Sequence, residues 1–304
     1  MHKNYFFYRV FRRLDAYFAC MLNVLYFFVY ALPWLKLNSV FTGFFSISFG
    51  YQSILVNSKN VFIKVAFSKK STIKNEYSNY LSLINTLPYL TEILPSYRML
   101  DGWFASALIC ERMTKVKSSE ALSPAIFIQE RLGRSAALDR RLSLIDCPQI
   151  TAGLNSLAEE FGKSVADQLT IIAKNFLLSP NYELGAAHGD FHSRNIMKDI
   201  FGHPKIIDLD CVRLKAVREF DPLYFALEQV WSISNDDWVE SLANCFDGFQ
   251  DDVVSCLESF GVKWSGDLGT AFFLDRLGQD TINYNIVYSK HKLRRLVDAA
   301  LEMK

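Results

Sequence analysis

The run His188-Gly189-Asp190-Phe191-His192-Ser193-Arg194-Asn195-Ile196-Met197 is followed, after a turn at Gly202-His203-Pro204, by Lys205-Ile206-Ile207-Asp208-Leu209-Asp210. It sets out a carboxylate, a carboxamide five residues on, and two more carboxylates at the end of a short apolar strand. Hard oxygen donors on neighbouring turns suit Mg²⁺, which takes octahedral oxygen coordination and keeps some of its waters. A separate carboxylate can then serve as a base. Singly the pieces are ordinary, since His-Gly-Asp is a common loop tripeptide and Asp at a strand end is often a turn residue. In this order on one stretch they point to a single functional loop.

Upstream, the chain reads as a small sheet with one helix. Apolar and small residues from Val40 to Val56, a turn at Asn57-Ser58-Lys59-Asn60 and the run Val61 to Phe67 predict a hairpin. Tyr77, Tyr80, Leu81, Ile84 and Leu87 recur at steps of three and four, which predicts a helix over Lys74 to Leu87 that Pro88 stops. Tyr97 to Met113 supplies two more strands around Asp101-Gly102. Beyond Pro148 the period becomes helical. Leu154, Leu157, Phe161, Val165, Leu169 and Ile172 fall on one face of a long helix, and Asp221 to Trp231 and Ser289 to Leu301 read as further helices. The expected organisation is a helical segment over 1–38, a β-rich lobe over 39–113 and a mainly helical lobe over 114–304, with a ligand cleft at their junction.

The HGDFHSRN and IIDLD stretches resemble the protein-kinase-like superfamily, in the branch of the aminoglycoside phosphotransferases and choline kinases, where H-G-D-x-H-x-x-N precedes an I-D-x-x metal motif. The likeness spans roughly residues 40 to 235. It implies a bilobal α+β fold, ATP and Mg²⁺ as cofactors, and phosphoryl transfer to a hydroxyl. Asp190 would be the catalytic base, and Asn195 and Asp208 would hold the metal, with Asp210 either a second metal contact or a backbone hydrogen-bond acceptor. His188 and His192 would order the loop rather than react.

A transferred phosphoryl group also needs a cation on its oxygens. Lys64 is the charge inside the apolar run Val61 to Phe67, similar to the family's lysine-bearing strand, with Glu76 as its natural ion-pair partner and Glu92 as a weaker competitor. Two segments match by position. Gly43 to Gly50, including Ser46, lies where the phosphate-covering hairpin belongs but lacks G-x-G-x-x-G. The strand ending Glu111-Arg112-Met113 is similar to the hinge whose backbone, near Glu111 and Met113, meets adenine. Asp221 resembles the family's helix-starting Asp that ties down the catalytic loop, and capping alone would also explain it. Ser193-Arg194 replaces the Pro-Gly of many relatives, which puts the acceptor in question more than the reaction.

Composition narrows the field. Of 304 residues 50% are hydrophobic, Lys+Arg 33 nearly balances Asp+Glu 32, and the net charge of +1 gives no general attraction to nucleic acid. Six dispersed cysteines with no C-x-x-C pair read as reduced thiols in the cytoplasm. Ala16 to Leu35 is nearly all apolar and follows Lys3, Arg9, Arg12 and Arg13. Were it to span a bilayer, that basic excess would hold the N-terminus inside and send the kinase-like body outside, where ATP is scarce. The stripe Arg9, Arg12, Ala16, Ala19, Asn23, Tyr26 and Tyr30 instead fits a helix on the inner face of the cytoplasmic membrane or packed on the small lobe. The partner is then a small-molecule or glycan substrate, with peripheral membrane contact through residues 1–35 in the first case. A kinase of lipopolysaccharide or lipid-linked sugars is the membrane-associated alternative, and a non-catalytic kinase-like binding module is the other.

Overall fold

The computed structural model describes residues 25, 27–37, 45–49, 54–58, 61–66, 70–103, 105–134, 142–180, 182–234, 237–249, 251–284 and 288–302. In chain order a π-helical turn (Phe27–Ala31) runs into α1 (Leu32–Leu37), then β1 (Phe45–Phe49), β2 (Ile54–Ser58), β3 (Val61–Ala66), α2 (Lys70–Thr86), β4 (Tyr97–Asp101), β5 (Ser106–Glu111) and β6 (Thr114–Lys115). There follow α3 (Leu122–Gly133), α4 (Pro148–Phe161), α5 (Lys163–Leu177), β7 (Leu184–Ala187), β8 (Ile196–Lys198), β9 (Pro204–Ile206) and β10 (Arg213–Val217). The chain closes with α6 (Phe220–Ser234), α7 (Trp238–Phe246), α8 (Asp251–Ser259), α9 (Gly266–Tyr284) and α10 (Lys290–Glu302). Its contacts divide it into two units, Met1–Val116 with Ile196–Asp210, and Lys117–Asn195 with Cys211–Lys304.

The first unit is built on an antiparallel sheet in the order β1-β2-β3-β5-β4. Alternation along β3 decides its two faces. Ile63 and Val65 point to a core with Ile54, Val56, Ala105, Ala107 and Ile109, which Phe27, Ala31 and Leu35 close from the N-terminal segment. Phe62, Lys64 and Ala66 point the other way, where Ala66 and Leu108 pack on Ile73 and Tyr77 of α2. A lysine at position 64 is therefore turned toward the face that α2 covers. The small sheet β6-β8-β9 brings the Asp208 segment into this unit, and Met197 and Ile207 pack with Phe62, Tyr97, Cys110 and Met113.

The second unit is mainly helical, with the ribbon β7–β10 beside the Asp190 loop. Its core includes Leu157, Leu169, Leu223, Leu227, Phe272, Phe273 and Leu296. One expectation is corrected here: residues 148–177 form two helices, not one, because Gly162 takes φ 95° between α4 and α5. Glycine accepts that left-handed backbone without steric penalty, so the apolar period continues across a break in the rod. α4 and α9 cross with Gly278 against the carbonyl of Gln149, which fixes α9 closely beside its neighbour. The five described cysteines form no disulfide with one another.

Of the N-terminal hydrophobic helix, residues 1–24 and Tyr26 lie outside the described residues, as does most of the stripe read from them. The described part packs on the sheet through Phe27, Ala31 and Leu35. Among the described residues no helix is long and apolar enough to cross a membrane.

Candidate active site

In the first unit, Lys64 Nζ lies 2.8 Å from Glu76 Oε2 and 2.7 Å from Asp208 Oδ1. Burial alone would lower the ammonium pKa, but the carboxylates of Glu76 and Asp208 raise it well above its ordinary value, so Lys64 is held as a cation. Glu76 is only 2% exposed and Glu92 lies on the surface, so of the two candidates Glu76 makes the pair. One turn further along α2, Asn79 Nδ2 donates to the Leu209 carbonyl at 2.8 Å, fixing the Asp208 loop by a second tie to the same helix face.

Asp208 itself has φ 65°, the one non-glycine positive φ among the described residues. Such a backbone costs an L-residue about 1 kcal/mol or more and survives where its surroundings impose it. A carboxylate oxygen from each of Glu76, Asp208 and Asp210 lies within 4.8 Å of the others. Three carboxylates against one lysine leave negative charge that a divalent cation would balance, and hard oxygen donors are the set Mg²⁺ takes. The residues present therefore fit that ion.

In the second unit, Asp221 at the start of α6 accepts from the backbone amides of His188 (2.6 Å) and Gly189 (2.9 Å). The Asp190 amide in turn donates to His188 Nδ1 at 3.3 Å, so the histidine is spent on the loop. Gly189 has φ 77°, and a Cβ there would stand 2.4 Å from the Cys211 carbonyl. Gly189→Ala is expected to lower stability by about 1–3 kcal/mol through backbone strain and a forced shift of the loop. Urea denaturation checks this, and an unchanged midpoint would contradict it.

The Asp190 carboxylate faces His192 Nε2 at 3.3 Å and Arg276 Nη1 at 3.1 Å. Burial would raise its pKa, but the His192 hydrogen bond and the Arg276 charge outweigh it and hold the carboxyl below the usual carboxylate range. Asn195 Nδ2 donates to the Asp190 carbonyl at 3.0 Å, tying the carboxamide to the same loop. Ser193 is anchored by Glu228 of α6, which accepts from both its amide (3.2 Å) and its hydroxyl (3.1 Å).

The softer positions are placed as follows. Ser46 is exposed on β1 opposite Asn57, and Gly43 lies outside the described residues. Glu111 ends β5 opposite Val61, and Met113 is buried against Cys110 and Met197. Sequence reasoning missed Arg276, Asp280 and Glu228. For the first two a signal existed: Asp275, Arg276, Gln279 and Asp280 recur on one face of helix α9, within a stretch that supplies Phe272, Phe273, Leu274 and Leu277 to the core.

Neither a protein-family model nor a curated protein matches the sequence. Solved structures do. The choline kinase LicA from Streptococcus pneumoniae aligns with a TM-score of 0.52 at 15% identity, covering 89% of this chain and 98% of that one. The chain has the protein-kinase-like fold. An aminoglycoside phosphotransferase from Streptomyces rimosus is similar at a TM-score of 0.50 and 15% identity, covering 82% and 97%. A further aminoglycoside phosphotransferase, in ternary complex with ADP and hygromycin B, is similar at 0.51 and 13%, covering 88% and 97%.

Proposed function

We propose that this chain is an ATP- and Mg²⁺-dependent phosphotransferase acting on a hydroxyl of a small molecule or glycan. The observation that carries the reading is Lys64, half-buried on the central strand and fixed between Glu76 and the left-handed Asp208. A cation so restrained is arranged for phosphate oxygens, which it meets with little loss of side-chain freedom. The similar choline kinase and aminoglycoside phosphotransferases, one of these in complex with ADP, support the same chemistry.

In this reading Asp208 and Asp210, with the amide oxygen of Asn195, hold Mg²⁺, which supplies neutralising charge for the triphosphate. Lys64 binds and orients phosphate oxygens. Ser46 and Gly43 belong to the segment covering them, and the backbone near Glu111 and Met113 meets the base. Asp190 accepts the hydrogen bond of the acceptor hydroxyl, aligns its oxygen and takes the proton as the new P–O bond forms and the bond from the γ-phosphorus to the bridging oxygen breaks, releasing ADP. A carboxylate held at low pKa is a weak base, which suffices where the transition state is loose and the nucleophile needs little prior deprotonation. Asp208→Ala is expected to weaken Mg²⁺-dependent nucleotide binding at least about tenfold more than Asp210→Ala, a difference of about 1.4 kcal/mol, because only Asp208 also fixes Lys64. Calorimetry with and without Mg²⁺ checks the ranking, and equal losses would reverse it.

The test of the function is acceptor-stimulated, Mg²⁺-dependent ADP release by the purified chain across aminoglycosides, choline-like amines, sugars and lipid-linked glycans. Release with one class is expected. Nucleotide binding without release from any would make the chain a binding module.

A membrane-associated kinase of lipopolysaccharide or lipid-linked sugars is the second reading, favoured by one observation. Opposite the buried Phe27, Ala31 and Leu35, the residues Leu25 (59%), Phe28 (50%), Val29 (51%) and Tyr30 (46%) stand exposed. Such a face suits an interface between lipid and water. Replacing Phe28 and Val29 with Ser is expected to reduce sedimentation with anionic vesicles, and an intact chain that never sediments would remove this reading.

A further inference from the structure

Arg276 is a guanidinium built into the surroundings of Asp190. Its Nη1 lies 3.1 Å from Asp190 Oδ1 and donates to the Gly189 carbonyl at 3.1 Å, while its Nε lies 3.2 Å from Asp280 Oδ1. Its flat face rests over the Tyr224 ring at 4.1 Å. Asp280 is 1% exposed and also accepts from Tyr288, whose hydroxyl accepts from Trp238 Nε1 at 2.7 Å. Two carboxylates and an aromatic face converging on one point are what binds an organic cation: the carboxylates supply charge, and the ring quadrupole attracts the cation's bulk. Here the chain's own arginine is that cation.

The other acids of this neighbourhood are occupied as well. Asp275 takes both nitrogens of Arg213, at 2.6 and 2.8 Å. Asp221 accepts from the His188 and Gly189 amides, and Glu228 from Ser193. Of residues 190–195 the exposed charged side chain besides the partly exposed Asp190 is Arg194, and it is positive. An acceptor bearing an ammonium beside its reacting hydroxyl would meet the charge of Arg194 and Arg276 and, among the acids named above, find each already holding a cation or a donor of the chain, which is how a site rejects a class of ligand.

We propose that the acceptor carries no ammonium group, because Arg276 fills from within the acid-and-aromatic site beside Asp190 that a cationic acceptor would use. The acceptor is then a neutral or acidic polyhydroxy compound, and Arg276 is its specificity-determining residue. This rests on Asp190 being the group that receives the acceptor hydroxyl.

The test has two arms on the full-length chain. In the first, thermal unfolding of the wild type and Arg276→Ala is followed with ethylguanidinium or choline against equal NaCl. The variant is expected to be stabilised by the organic cations and the wild type not at all. Stabilisation of both, or of neither, overturns the proposal. Should Arg276→Ala not fold, Arg276→Gln keeps a donor to Gly189 and serves in its place. In the second arm, ADP release is compared for glucosamine and N-acetylglucosamine, and for kanamycin and choline. The N-acetyl sugar is expected to exceed its free amine at least about tenfold in kcat/KM, with no release from kanamycin or choline. Preference for an amine overturns the specificity while leaving the phosphotransferase reading intact. No release from these or any other acceptor class counts against the phosphotransferase reading and with it the acceptor proposal, whatever the first arm shows of the cation site.

Discussion

Asp190→Asn is expected to lower phosphotransfer by about a hundred- to ten-thousand-fold, the range a positioned acid–base group contributes, with nucleotide affinity changed by no more than several-fold. The substitution keeps shape and removes the only function assigned to the side chain, acceptance of the hydroxyl proton. Lys64 and Asp208, which meet the nucleotide in this account, are untouched. Arg276 would then face a neutral amide, with Asp280 still pairing it, so the fold is expected to persist. Single-turnover kinetics alongside nucleotide titration separates the two effects. Near-normal turnover would remove Asp190 from the chemistry.

The second large effect is on Lys64→Met. Glu76 is buried and stands beside Asp208, so deleting the cation leaves two carboxylates facing each other with no counter-charge. Breaking a buried ion pair from one side typically costs about 3–5 kcal/mol, because the desolvated survivor stays behind. Denaturant unfolding is expected to show that loss together with loss of nucleotide binding. The double substitution Lys64→Met with Glu76→Leu is expected to restore much of the stability and none of the binding. A single variant as stable as the wild type would mean that Glu76 is solvated and does not restrain Lys64.

How far these residues could be read beforehand depended on whether their partners lie close in sequence. Lys64 is legible as a lone charge inside an apolar run only once the downstream motif suggests a lysine-bearing strand, and Glu76 because it follows on the next helix. The Asp190–Asn195 loop and Asp208 were legible as a run of oxygen donors on two neighbouring segments. Asp221 was visible as a helix-starting carboxylate, though only the folded chain shows it accepting from two loop amides. The left-handed backbone of Asp208 left no sign in composition, since Asp is common at turns of every kind.

Arg276 and Asp280 were missed for the opposite reason. Arg276 reaches Asp190 from 86 residues further along the chain, with Asp280 pairing it from behind, and nothing local ties either to the loop. Their one trace was a polar face on a helix that also supplies the core, and reading it required asking where a buried arginine would find its acids. The break at Gly162 was missed because hydrophobic period survives a kink that leaves both helices on the same core. At the N-terminus, composition alone left membrane and sheet as rival partners. The described residues Phe27, Ala31 and Leu35 take the sheet, with Phe28 and Val29 turned outward.

The most direct measurement is the fate of the γ-phosphate. Purified chain is incubated with γ-³²P-ATP, Mg²⁺ and the acceptor classes named above, and the label is followed into phosphomonoester product for the wild type and Asp190→Asn in parallel. Labelled product is expected from the wild type with an acceptor and Mg²⁺ both present, with its near-complete loss in the variant. Label that leaves ATP only as inorganic phosphate, or enters product equally in both proteins, would contradict it.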